Sequence, residues 1–286
     1  MKLIVFGKTG QVAHELARRC PPGISAQFIS RSSANLSDPK ACAEVIAKAS
    51  VDAIINVAAW TAVDKAETAE PEATVINGIA PGAMAQACEA KTIPFVHVSS
   101  DYVFDGSGSV AFKPDQLTAP IGAYGRSKLA GEQAVRASGA KHLILRTSWV
   151  MSAHGTNFVK TMMRLGREHN KIQVVSDQIG APTPAAAIAD ALYKAVTTMT
   201  AGHAGGTYHF AGAPNISWAD FARAIMVATN LPCEIEDIPT SGYPTPAKRP
   251  MNSRLDCSSL KRDFGIAQPD WKIWLNSIIS ELGAET

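Results

Sequence analysis

Short apolar runs alternate along the chain with longer stretches in which apolar residues recur every three or four positions. The runs at 2–6, 26–29, 53–57, 95–98, 142–145 and 207–210 are apolar at successive positions and rich in β-branched and aromatic residues, as strands buried on both faces are. Between them, residues 12–19, 39–48, 81–90 and 124–137 have helical spacing, and Pro39 and Pro81 stand where proline favours a first turn. This alternation predicts an α/β fold, a Rossmann-type doubly wound parallel sheet with helices on both faces. After residue 150 the regularity breaks. A helix at 158–167, an alanine-rich helix at 184–198, a helix at 221–229 opened by Ser217, a proline-rich stretch at 238–250 and a closing helix at 271–282 follow. The pattern divides the chain into a main domain of residues 1–149 and 186–211 and a smaller C-terminal lobe of residues 150–185 and 212–286.

Composition narrows the class without choosing within it. With 286 residues, 46% hydrophobic and 18% charged, the chain can bury a sizeable core and has no disordered tract. A net charge of +2, with no cluster of lysine and arginine interleaved with aromatics, argues against nucleic acid as partner. The apolar MKLIVFG start is too short for a signal peptide core, and no later run reaches the roughly 18 residues a bilayer requires. Five scattered cysteines, with no C-x-x-C pair, suggest neither a zinc site nor a disulfide framework. The expectation is a cytoplasmic protein without membrane contact.

Two groups of residues carry chemistry. The segment LIVFGKTGQVAHEL reads as strand, glycine turn and helix, with Gly7, Gly10 and Ala13 spaced so that main chain can approach a pyrophosphate at the helix N-terminus. At the end of the second strand, Ser30-Arg31-Ser32-Ser33 stands where an acid would select NAD; Arg31 and the serines favour a 2′-phosphate, hence NADPH, with NADH still open as a second cofactor. The alternative for Arg31 is a solvated loop residue. After the third strand, Ala58, Ala59 and Thr61 are small enough to line the adenine-ribose side. The second group is Ser100, at the end of the fourth strand, with Tyr124 and Lys128 one helical turn apart on the next helix. A tyrosine whose pKa is lowered by a lysine can protonate a forming alkoxide, and a serine hydroxyl can hold the carbonyl oxygen.

The segments GKTGQVA, NVAAWTAVDKAE, VSSDYVFDG, AYGRSKLAGE, LRTSWV, DQIGAPT and RPMNSRLD, in order from residue 2 to about residue 275, resemble the extended short-chain dehydrogenase/reductases, and within them the branch that acts on dTDP-4-dehydrorhamnose. The resemblance implies a nucleotide-sugar reductase whose C-terminal lobe binds substrate. In it NADPH reduces the C4 ketone of dTDP-4-dehydro-β-L-rhamnose, the last step toward dTDP-β-L-rhamnose. Tyr124 protonates the oxygen, Lys128 lowers the tyrosine pKa and bonds the nicotinamide ribose, and Ser100 polarises the carbonyl. It further implies Gly10, Gln11 and Val12 at the pyrophosphate, Asn35 and Leu36 near the adenine, and Asp101 and Trp149 at the sugar. Gln178, Arg249 and Asn252 fall to the thymidine diphosphate; for Trp149 a core position at a domain junction is the alternative. Some relatives join two subunits through Mg2+ on three glutamates. Glu15 matches one of these, but Ala186 stands at another, so no metal site is expected, and the chain is read as a monomer or weak homodimer. Two other functions stay open: a reductase of another nucleotide 4-keto-6-deoxyhexose, such as one giving dTDP-6-deoxy-L-talose, or a non-catalytic NADP-binding regulatory subunit. Intact Ser100, Tyr124 and Lys128 argue against the latter.

Overall fold

The computed structural model describes residues 1–284; the last two positions of the lobe delimited above lie outside the described residues. Strand β1 (Lys2–Phe6) leads through the glycine turn into α1 (Gln11–Arg18), β2 (Ser25–Ile29), α2 (Pro39–Lys48) and β3 (Ala53–Asn56). The Asp38 side chain caps α2 by accepting from the Ala41 N–H at 3.0 Å, and Pro39 occupies its first turn. Two short helices, α3 (Val63–Ala66) and α4 (Glu70–Thr74), continue through a π-helical stretch at Val75–Ile79 into α5 (Ala80–Ala90). Then come β4 (Phe95–Ser100), α6 (Ala123–Ala137) and β5 (His142–Thr147).

Beyond β5 the chain leaves the sheet. Strand β6 (Val150–Met151), α7 (Phe158–Glu168), β7 (Lys171–Val175), β8 (Ile179–Gly180) and β9 (Thr183–Pro184) precede α8 (Ala185–Thr200), which returns along the sheet to β10 (Gly206–His209). The remainder comprises β11 (Ile216–Ser217), α9 (Trp218–Thr229), β12 (Glu234–Ile238), α10 (Ser258–Phe264) and α11 (Trp271–Ala284).

The six main strands are all parallel, in the order β10-β5-β4-β3-β1-β2. Their alternating side chains divide between two cores. Leu3, Val5, Ile55, Val96, Leu143 and Leu145 pack with Leu16 of α1 and Ile188, Leu192 and Val196 of α8. Ile4, Phe6, Ile54, Phe95 and Ile144 pack with Ile46 of α2, Met84 and Cys88 of α5 and Val135 of α6. Each such side chain, fully buried, contributes on the order of 2 kcal/mol. A third core lies among α7, α9, α11, β7 and β12, around Val159, Phe221, Ile225, Ile235 and Trp271.

Strand order reverses at β1: β2 lies on one side of it and β3 on the other. A crevice opens there beyond the carboxyl ends of the strands, where open α/β sheets bind ligands. The π-helical stretch, the β7–β12 pair and the two-residue strand pairs have no sequence periodicity to announce them. Among the described residues, no helix is long and apolar enough to cross a membrane.

Candidate active site

The nucleotide side is built on the exit of β1. Gly7 has φ +117°, and a Cβ there would lie 3.0 Å from Val57 Cγ2, so only glycine lets β1 and the exit of β3 approach this closely. Gly10 is the N-cap of α1, in extended conformation with no side-chain cap, and a Cβ on it would meet nothing within 4 Å. The N-terminus of α1 therefore carries no side-chain cap and has open space at Gly10, features that suit an anionic pyrophosphate. Gln11 contributes differently: its Oε1 accepts from Ser152 Oγ at 3.1 Å and Asn157 Nδ2 at 2.9 Å, which ties α1 to the loop ahead of α7. Val12 packs against the core around Leu16.

Arg31 is exposed beyond β2, and Ser30 Oγ bonds Ser32 and Ser33 at 2.8 and 3.1 Å. Asn35 closes a turn by accepting from the Ser37 N–H, and Leu36 is a core residue, 8% exposed. Ala58 and Ala59 are half-buried, Thr61 is exposed, and the Ala58 N–H donates to Asn56 Oδ1 at 3.1 Å.

Ser100 ends β4 at the carboxyl edge, and its Oγ accepts from the Tyr102 N–H and donates to Asp101 Oδ1 at 2.9 Å. Tyr124 lies in the first turn of α6, where a Cβ on Gly125 would collide with the Tyr102 carbonyl oxygen. That glycine lets α6 press against the turn after Ser100 and brings Tyr124 beside it. The Tyr124 ring meets Tyr102 edge-on, centroids 5.3 Å apart. Lys128, one turn on, is 2% exposed, and its Nζ donates to the Val98 carbonyl at 2.8 Å.

The electrostatics correct one expectation. Burial pushes the Tyr124 phenol above its ordinary range, against the pull of its hydrogen bond with Ser100. The Lys128 ammonium donates to the main chain of β4. Lys128 is itself lowered to about 8 by burial, opposed by Glu132. The Asp101 carboxyl, 4% exposed, is raised to about 6 by burial, against hydrogen bonds that include Ser100.

A cavity of about 700 Å³ lies between Tyr102 and the third core. Gln178, Arg249, Tyr243 and Thr245 give it polar walls; Phe158, Leu165 and Trp218 give it apolar ones. Gln178 Nε2 donates to Thr240 Oγ1 at 3.0 Å. Arg249 pairs with Asp64 at 2.7 Å and reaches the Tyr102 hydroxyl at 3.4 Å. Asn252 departs from expectation. It is 2% exposed, and its amide donates to the Ser107 and Val110 carbonyls while its oxygen accepts from Arg254, which leaves no polar atom for a ligand. Trp149 is half-buried beyond β5, with one face already stacked on Trp218 at 3.6 Å.

Several buried polar residues of the site were not singled out by the sequence. Asn77, in the π-helical stretch, donates to the Trp60 carbonyl and Ser127 Oγ and accepts from the Trp60 N–H at 2.8 Å, pinning the segment after β3 to α6. His97 meets Asn56 at 3.1 Å, and burial with the nearby Lys128 charge holds it well below its ordinary pKa. Behind Lys128, Glu132 pairs with Arg146 at 2.7 and 2.8 Å, and Arg146 also reaches the Pro114 carbonyl and His209. The available signal was polar residues inside otherwise apolar strands, His97 in FVHVSS and Arg146 in HLILRT.

At the position of the expected subunit bridge, Glu15 is 5% exposed and faces Arg18 at 3.6 Å and His154 at 3.4 Å. Its carboxylate already has a cationic neighbour, and among the described residues no group of three or more His, Cys, Asp or Glu side chains could hold a metal.

Comparison with known proteins agrees over the whole chain. The family described as RmlD substrate binding domain matches residues 1–284. The dTDP-4-dehydrorhamnose reductase of Burkholderia thailandensis is 41% identical, with 99% of each chain covered. A dTDP-4-dehydrorhamnose reductase structure from Clostridium acetobutylicum superposes with a TM-score of 0.93 at 33% identity, covering 99% of this chain and 100% of that one. That of the Bacillus anthracis enzyme in complex with NADP gives 0.92 at 33% identity, covering 98% and 99%.

Proposed function

The chain belongs to the RmlD substrate binding domain family, and from that premise we propose that it reduces the C4 ketone of dTDP-4-dehydro-β-L-rhamnose to dTDP-β-L-rhamnose with a nicotinamide cofactor. The observation that carries this reading is Ser100 at the end of β4 with Tyr124 and Lys128 of α6 packed against that strand, two strands from the Gly7–Gly10 turn, in a chain with full-length relatives of that activity. The reductase is favoured over the talose-forming and non-catalytic alternatives, because the relatives of comparable length bear its name and the trio is intact.

The cofactor is held by the α1 N-terminus at Gly10, Gln11 and Val12, by Arg31 with Ser30, Ser32 and Ser33, and by Asn35, Leu36, Ala58, Ala59 and Thr61. NADPH is the preferred form: a guanidinium among hydroxyls suits a 2′-phosphate, and the Bacillus anthracis relative was seen with NADP. When bound, the nicotinamide supplies hydride. Ser100 exchanges its bond to Asp101 for one to the ketone oxygen, and Tyr124 gives its proton to that oxygen as negative charge develops there. The phenol carries the proton this step needs, although burial makes it a weaker acid. Lys128, near 8, provides a cation that can lose and regain a proton close to neutrality. Residues 150–185 and 212–286 receive the nucleotide sugar, with Arg249 and Gln178 toward the diphosphate and Asp101 and Trp149 toward the hexose.

The test is NADPH absorbance on addition of dTDP-4-dehydro-L-rhamnose generated from dTDP-glucose by upstream enzymes. Stoichiometric consumption supports the reading. Binding of NADPH without consumption on this or related 4-keto sugars would transfer the protein to the regulatory alternative.

A further inference from the structure

Trp149 is the one tryptophan among the described residues in the left-handed region, with φ +47°. Such a conformation costs a non-glycine residue about 1–3 kcal/mol, so the surrounding structure must impose it. The backbone on either side is stitched to one segment. Ser148 Oγ donates to the Ala181 carbonyl, Thr183 N–H donates to the Trp149 carbonyl at 3.0 Å, and Val150 pairs with Thr183.

The indole is held separately. Trp218 stacks on it with centroids 3.6 Å apart and planes 14° apart. Gly180 also stands against the indole, where a Cβ would lie 2.7 Å from Trp149 Cε2 and 2.8 Å from Cζ2. Gly180 lies in the antiparallel β8–β11 pair, which matches Ile216 with Gly180 and Ser217 with Ile179, and Trp218 follows directly on β11. Ser217 then caps α9 by accepting from the Asp220 N–H, and Trp218 is the first residue of that helix. On its far side Trp218 meets Phe158 at 4.5 Å and lines the 700 Å³ cavity. Trp218 thus lies between the third core and Trp149, and its own position is set by a strand pair and a helix cap.

We infer that Trp218 is a positioning residue that fixes the Trp149 indole against Gly180 for the sugar nucleotide, so that the lobe's core determines the shape of the hexose site. This rests on the reductase reading for the role of Trp149. A lobe that repacks between α7 and α9 would move Trp218 and, through the stack, the sugar-facing ring. Trp218 acts on binding of the sugar and has no part in proton transfer.

The experiment combines steady-state kinetics with circular dichroism. Two indoles stacked this closely couple their transitions, and the couplet disappears when either is replaced. Trp218→Leu is expected to remove the couplet and raise KM for the sugar nucleotide about tenfold, the scale of one lost aromatic packing contact, with kcat and KM for NADPH nearly unchanged. Trp218→Phe, which keeps a ring, should recover most of the affinity. Gly180→Ala pushes on the indole at Cε2 and Cζ2, independently of Trp218, and should also alter the couplet and raise the same KM. It serves as the second variant if Trp218→Leu fails to fold. An unchanged sugar-nucleotide KM in Trp218→Leu would overturn the inference, as would a raised KM there with an unaffected Gly180→Ala. Absence of turnover in the parent protein would instead refute the reductase reading.

Discussion

Lys128 Nζ donates to the Val98 carbonyl at 2.8 Å, which anchors the ammonium to β4 one helical turn along α6 from Tyr124. The consequence is a division of states: burial keeps the phenol protonated while it draws the lysine down to about 8. A proton is present on the donor and a nearby group can exchange one, while the burial that raises the phenol makes that proton harder to give up.

Replacing Tyr124 by Phe removes that proton and leaves the ring's packing against Tyr102 in place. Turnover should fall by about two to four orders of magnitude, while NADPH affinity measured by fluorescence titration stays within about twofold. Activity close to that of the parent would remove Tyr124 from the mechanism.

Asp101 makes a pH prediction whose sign follows from its raised pKa. The folded carboxyl titrates near 6, against an ordinary 3.8, so folding favours the protonated form. Its contribution to stability is fully present below 3.8 and is lost as pH rises through 6. Asp101→Asn should therefore be more stable than the parent at neutral pH, by at most about 3 kcal/mol, with the gap closing in acid. Parallel denaturant titrations across this range check it; a gap that widens toward low pH would contradict the burial argument.

Arg31→Asp should shift cofactor preference from NADPH toward NADH, through repulsion of the 2′-phosphate by the new carboxylate. The ratio of kcat/KM for the two cofactors is the readout. An unaltered ratio assigns Arg31 to the solvated surface.

Glu132→Gln leaves Arg146, 1% exposed, without its buried counter-charge. Loss of about 3–5 kcal/mol is expected, as when one partner of a buried ion pair is removed. Chemical denaturation measures it, and a loss below about 1 kcal/mol would show that Pro114, His209 and the Phe104 ring suffice to hold the guanidinium.

The sheet was legible because Leu3, Ile55 and Val96 belong to runs that only a doubly covered parallel strand explains, and the turn at Gly7 was legible from spacing. Tyr124 and Lys128 could be placed because one helical turn fixes them to one face. What the chain could not disclose depends on long-range pairing. Asp64 meets Arg249, 185 residues away, and neither flanking segment is periodic. Asn252 looks like a ligand residue until its partners at Ser107 and Val110 are known. The Tyr–Lys spacing and the family resemblance point to a lowered phenol, and neither says which way an ammonium turns. Trp218 escaped notice because its importance comes from a two-residue strand pair, too short to leave a pattern.

The most direct measurement is the fate of hydride from C4-deuterated NADPH with dTDP-4-dehydro-L-rhamnose, followed by NMR of the product sugar. The account predicts one deuterium at C4 of the hexose, in the rhamno configuration, and none in the Tyr124→Phe variant over the same interval. Deuterium at another carbon, a talo product or an unlabelled sugar would contradict it.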